Sequence, residues 1–160
     1  MVSAINGPRQ RAQRLDATEI QATSILNGAF TDMLSGQAPM ILFSLRRVLF
    51  WSDPDQMLDF TTKDDTATYT AAAALDERAP RVLQVAGDQV SARTLAATMS
   101  RAVRALMPAS TVPFPPWQGM QYFASMFSGD ATLRYINNDR YGSRKWTTAR
   151  DVLELHRQQS

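Results

Sequence analysis

MLDFTTKDDTATYTAAAALDERAPRVLQVAGD, residues Met57 to Asp88, reads as a strand, a helix and a second strand in succession. Met57 to Thr61 is strand-like. It runs into Thr62-Lys63-Asp64-Asp65, where a threonine hydroxyl and an acid three residues later satisfy each other's end of a helix. The helix extends from about Lys63 to Leu75, and its alanines, Ala71 to Ala74, combine high helix propensity with small volume, which suits close packing on a sheet. Arg81 to Ala86 then forms the clearest strand of the chain: Val82, Leu83 and Val85 are apolar, and Gly87-Asp88 ends it. Ser91 caps the next helix. Strands alternating with helices argue for an α/β arrangement with some parallel pairing.

Upstream, Pro8 to Leu15 is helix-compatible, and Gln21 to Leu26 is a short strand that stops at Asn27-Gly28. Phe30 to Leu34 suits one helical turn. Ala38 to Arg47 reads as an apolar helix ending near Val48-Leu49-Phe50-Trp51. Downstream, Leu95, Met99, Val103 and Leu106 recur at helical spacing and place a helix over Ala92 to Leu106. Pro108 to Pro116 is an extended connector. Trp117, Met120, Phe123, Ala124 and Phe127 form a second apolar stripe ending at Gly129, and Thr148 with Asp151 caps a last helix through about His156. Three strands for so many helices suggest that part of a larger sheet is left out.

The chain has 160 residues, 44% hydrophobic and 20% charged, the balance of one ordinary globular domain. A net charge of +2 gives no concentrated basic patch, so a nucleic-acid partner is not indicated. With no cysteine there is no disulfide, zinc-thiolate site or thiol nucleophile, and with His156 alone there is no histidine-rich metal site; no metal is expected. The apolar stretch Ala38 to Leu45 is far shorter than the ~20 residues of a membrane span. Met1 to Arg14 lacks the apolar core of a secretory signal, so the expectation is a cytoplasmic protein with no membrane partner.

Several runs resemble NmrA-like atypical short-chain dehydrogenases: Thr23-Ser24-Ile25-Leu26-Asn27-Gly28-Ala29-Phe30, Asp59-Phe60-Thr61-Thr62-Lys63-Asp64-Asp65 and Val85-Ala86-Gly87-Asp88-Gln89-Val90-Ser91. Trp117-Gln118-Gly119-Met120-Gln121-Tyr122, Met126-Phe127-Ser128-Gly129 and Asn138-Asp139-Arg140-Tyr141 continue the likeness. The resemblance implies a partial Rossmann-like α/β fold, an incomplete parallel sheet with a helical C-terminal substrate region. Residues 1–90 would be the C-terminal part of the NAD(P)-binding domain and 91–160 the substrate-side region. That family holds the cofactor pyrophosphate over a G-x-x-G-x-x-G loop, whose glycines admit backbone amides to the phosphates. The seven glycines here, at 7, 28, 36, 87, 119, 129 and 142, do not form it. The expectation is therefore a truncated, C-terminal portion, able to use NAD(P) only if the missing N-terminal half is supplied. By resemblance, Asn27, Gly28, Ala29 and Phe30 line the nicotinamide; the alternative is that Asn27-Gly28 is simply a turn.

No catalytic residue emerges. Tyr141 and Lys145 have the Tyr-x-x-x-Lys spacing of short-chain dehydrogenases, but Gly142 and Ser143 disfavour a helix between them, and the family's pair belongs before the strand at Gln21. Asp64 and Asp65 read as capping residues rather than paired acids, since neighbours on a helix point ~100° apart. Asp88 serves either a turn or a substrate hydroxyl. Trp117 and Tyr122 are candidates for an apolar substrate pocket, against the commoner use of such aromatics as core; Phe123 and Phe127 read as core. His156 complements a helix terminus or is solvated. Two functions follow: an oxidoreductase-like protein moving hydride between NAD(P) and a carbonyl or quinone-like substrate, or a non-enzymatic dinucleotide-sensing or protein-interaction module. A small molecule or a protein is the expected partner, with self-association left open by an exposed sheet edge.

Overall fold

Thr62 and Asp65 behave as their spacing requires. The Asp65 amide donates to Thr62 Oγ1 at 3.1 Å and that hydroxyl donates to Asp65 Oδ2 at 2.9 Å, which starts the helix α2, Lys63–Ala74, directly after the strand β5, Met57–Thr61. The computed structural model describes residues 6–35, 40–42, 47–50, 52–99, 101–104 and 126–159. Within them the chain runs α1 (Asn6–Asp16), β1 (Ser24–Leu26), β2 (Ala29–Phe30), a 3-10 turn (Thr31–Ser35), β3 (Ile41–Leu42), β4 (Arg47–Phe50), β5 and α2. It continues with β6 (Val82–Gln84), β7 (Asp88–Ser91), α3 (Ala92–Met99), β8 (Arg101–Arg104) and α4 (Ala149–Gln159).

The strands form three small sheets, ordered β1-β6, β2-β5-β7 and β3-β4-β8. β1 runs parallel to β6, with Ile25 opposite Leu83, and β2 runs parallel to β5, with Phe30 opposite Thr61. β7 returns antiparallel along β5, and β8 lies parallel to β4. The fold is therefore mixed α/β, as expected.

Two expectations about elements fail. Where a helix was expected over 38–47, the described residues Ile41–Leu42 and Arg47–Phe50 are antiparallel strands, because an apolar run this short is settled by what pairs with it, here Arg101–Arg104. The helix expected over 92–106 stops at Met99 for the same reason, as Arg101–Arg104 joins that sheet. Leu95 and Ala96 of α3 are nevertheless buried, as the spacing requires.

One core gathers Ala29, Leu58, Phe60, Leu95, Phe127 and Leu153, so residues from both sides of position 90 share it. A second lies where Tyr69 and Ala73 of α2 cover Leu83 of the β1-β6 sheet and Val85 just beyond it, with Ile25 beside them. Cross-strand partners share a face, so Leu26 and Val82 point the other way. They remain 44% and 45% exposed. No described helix is long and apolar enough to cross a membrane.

Candidate functional site

β1 ends at Leu26, β5 at Thr61 and β6 at Gln84, and the chain that leaves the parallel pair β1 and β6 is drawn together by one side chain at the end of β5. Thr61, with no exposed surface, donates its hydroxyl to the Asn27 carbonyl at 2.9 Å, lies 3.4 Å from the Val85 carbonyl and accepts the Gly87 amide at 3.2 Å. In α/β sheets ligands bind just beyond such carboxyl ends.

Asn27-Gly28 is more than a loose turn. Gly28 has φ +65°, and a β-carbon there would sit 2.4 Å from the Asp59 carbonyl oxygen, so only glycine fits. Asp59 is itself fixed and buried, its carboxylate accepting Gln89 Nε2 at 2.6 Å and the Leu133 amide at 2.7 Å. Ala29 and Phe30 form β2, with Ala29 packed in the core, so their main chain is what they offer a ligand. Two polar atoms on this segment are buried without a hydrogen-bond partner: Asn27 Nδ2 and Thr31 Oγ1. Unpaired buried polar atoms are costly, so these two mark places where the chain's own hydrogen bonding is incomplete.

Sequence reading did not find Thr61, Thr31 or Asp59. A polar Thr61 closing the strand directly after Phe60 was the one available signal.

The tail fastens onto β6. Asn137 takes the Gln84 amide on its side chain at 2.9 Å, and Asn138 pairs with the peptide of Ala86 in both directions, at 3.2 and 2.7 Å. Asp65 also serves the tail, accepting Arg144 at 2.8 Å and the Thr147 amide at 2.9 Å. Burial opposes its charge, but these bonds and that from Thr62 prevail and hold its carboxyl below the ordinary range. Asp64 is exposed, so the two acids share no ligand.

Tyr141 and Lys145 do not lie on a helix; Gly142 between them has φ +94°. The Tyr141 hydroxyl donates to Asp76 at 3.0 Å and its ring packs edge-on against Tyr69 at 5.0 Å. The pair is thus no proton-transfer couple. Asp88 accepts the Ala149 amide at 2.9 Å, the first of α4, which settles its role as a helix cap. His156 is half-buried in the last turn of α4. Trp117, Tyr122 and Phe123 lie outside the described residues, whereas Phe127 is core as expected.

Helix N-termini are the ordinary seats of phosphate, yet those of α2 and α4 are filled from within. Asp32 accepts the Lys63 amide of α2 at 2.9 Å, and Asp151 accepts both the amide and the hydroxyl of Thr148 before α4. Two open hollows lie elsewhere, one of about 600 Å³ beside Asp76, Arg140 and Tyr141, the other of about 410 Å³ beside Trp146 and Glu154. Neither touches the Asn27–Thr31 segment; the first is walled by an ion pair that already satisfies itself.

No family model matches this sequence, and no curated protein matches it significantly. Solved structures do resemble it. Isoflavone reductase superposes with a TM-score of 0.75 at 15% identity, over 96% of this chain and 60% of that one. The fold is Rossmann-like. AtPrR2 in its apo form gives a TM-score of 0.67 at 16% identity, over 94% of this chain and 60% of that one. TunA, an NAD-dependent NDP-hexosamine 5,6-dehydratase of tunicamycin biosynthesis, gives 0.51 at 16% identity, over 97% and 52%. The chain thus spans about 60% of the length of the first two. At such identities the likeness establishes fold, and the chain corresponds to part of a Rossmann-like fold.

Proposed function

We propose that this chain forms the nicotinamide side and the substrate side of an NAD(P)-binding, oxidoreductase-like protein of the NmrA-like kind. Residues 1–90 supply the Rossmann-like part and 91–160 the substrate-side part. The observation that carries the reading is the Asn27–Thr31 segment, set at the carboxyl ends of parallel strands with Asn27 Nδ2 and Thr31 Oγ1 buried and unpaired. A nicotinamide carboxamide carries the acceptor and donor that these atoms lack, so the residues fit that group. They do not extend the fit to its pyrophosphate, for which the sequence has no glycine loop and for which the N-termini of α2 and α4 are already occupied. The dependence of TunA on NAD agrees with this assignment.

When bound, the cofactor supplies hydride transfer to or from a carbonyl or quinone-like substrate. The chain's own part is to hold the ring and shape the pocket, with Trp117 and Tyr122 as its apolar wall. The absence of a helical Tyr-x-x-x-Lys pair favours a second reading, in which the same site senses a dinucleotide or docks a protein without turnover.

A thermal melt separates the halves of the ligand. Reduced nicotinamide mononucleotide at ~100 times its dissociation constant should add about 2.7 kcal/mol of stability, while ADP-ribose should add none. Stabilisation by ADP-ribose alone, or by neither, rejects the assignment. Turnover of quinones by the chain mixed with reduced nicotinamide mononucleotide, the part of the cofactor it is proposed to hold, would favour the enzymatic form over the sensing one.

A further inference from the structure

We infer that the Thr61 hydroxyl is the positioning group of the Asn27–Phe30 loop, fixing the direction in which that loop presents its polar groups. The inference deepens the reading above and rests on it for its ligand.

A threonine hydroxyl has one proton and two acceptor positions. Here the proton is spent on Asn27, one residue past the end of β1, and an acceptor position takes the amide of Gly87, past the end of β6. Neither residue belongs to a strand, so no ladder bond orients it. The side chain therefore supplies, at the point where two parallel strands diverge, the bonding that the sheet supplied before it. On the other side, Asp59 lies so close that a β-carbon on Gly28 would stand 2.4 Å from its carbonyl oxygen. The peptide linking Asn27 to Gly28 thus has its carbonyl held by Thr61, while Asp59 leaves no space for a side chain on the α-carbon that follows. Packing is supplied by the neighbours Leu58 and Phe60, each at most 2% exposed; Thr61 adds polar direction. Valine has nearly the same shape and would strand the Asn27 carbonyl and the Gly87 amide, whereas serine keeps both bonds.

Thr61→Val and Thr61→Ser in the full chain test this with two readouts. In the valine variant the Gly87 amide should exchange at least about tenfold faster while the amides of α4 keep their rates, and the Asn27 carbonyl shift should move; serine should restore both. The dissociation constant for reduced nicotinamide mononucleotide, followed by its fluorescence, should rise about tenfold with valine and recover with serine. Unchanged exchange and affinity in a folded valine variant overturns the inference. Altered exchange without any nucleotide binding by the wild-type chain leaves the clamp standing and removes the functional reading instead. Should the valine variant not fold, the wild-type protein still decides. A buried Thr61 hydroxyl proton, visible by NMR and close to the Gly87 amide, is required, and its absence rejects the clamp.

Discussion

Gly28 and Asp65 show how much a single residue carries here. Alanine at position 28 must adopt φ +65° and place its β-carbon against the Asp59 backbone, so Gly28→Ala should lower stability by on the order of 2 kcal/mol. A denaturant midpoint equal to wild type would show that the loop relaxes freely. Asp65 makes a different kind of contribution. Its folded pKa lies below that of the unfolded chain, so its stabilisation is present above the unfolded value and drains away as pH falls through the folded one. Asp65→Asn should lower stability at neutral pH and flatten the acid limb of the stability profile; an acid limb of unchanged slope would place the titration elsewhere. The sequence revealed the cap made by Asp65 because Thr62 stands three residues away. It was silent about Arg144 and Thr147, since nothing local marks a partner eighty residues distant.

Local signals made some elements readable and left others undecided. The strand Met57–Thr61, its cap and the helix Lys63–Ala74 follow from neighbours in the chain, as does the start of α4 at Thr148 and Asp151. Ile41–Leu42 and Arg47–Phe50 do not, because strands of two and four residues have no period long enough to distinguish them from a helix. β7 was missed because Asp88-Gln89-Val90-Ser91 is mostly polar, and its place is fixed by pairing with β5. The candidate site divides the same way: Asn27-Gly28 is visible as a turn, while the part played by Thr61 exists only once three strand ends meet. The tail's hold on β6 is an element-scale interaction of equal weight. Asn138→Ala deprives both polar groups of the Ala86 peptide of their partners and should cost about 1–3 kcal/mol, with amide exchange rising first at Ala86. Loss of stability without local change at Ala86 would mean that the tail is held elsewhere.

For the whole molecule, the β1-β6 sheet is the exposed quarter. Among the described residues β1 bonds only β6, and Leu26 and Val82 leave one face of the pair uncovered, whereas parallel sheets normally have both faces covered. Concentration-dependent self-association should result, and Leu26→Lys should suppress it in sedimentation velocity with little change in melting temperature. Equal sedimentation of the two proteins would place the contact on another surface. The constrained Asn27-Gly28 peptide has a further consequence, in chemical ageing. Asparagine followed by glycine loses its amide when the glycine nitrogen curls back onto the side-chain carbonyl, and asparagines rank among the thermolabile residues of proteins. A peptide clamped by Thr61 and seated on Asp59 resists that curl, so the folded chain should keep Asn27 intact in storage while the unfolded chain loses it. The shelf life of one amide thereby becomes a clock for how firmly the strand ends are held.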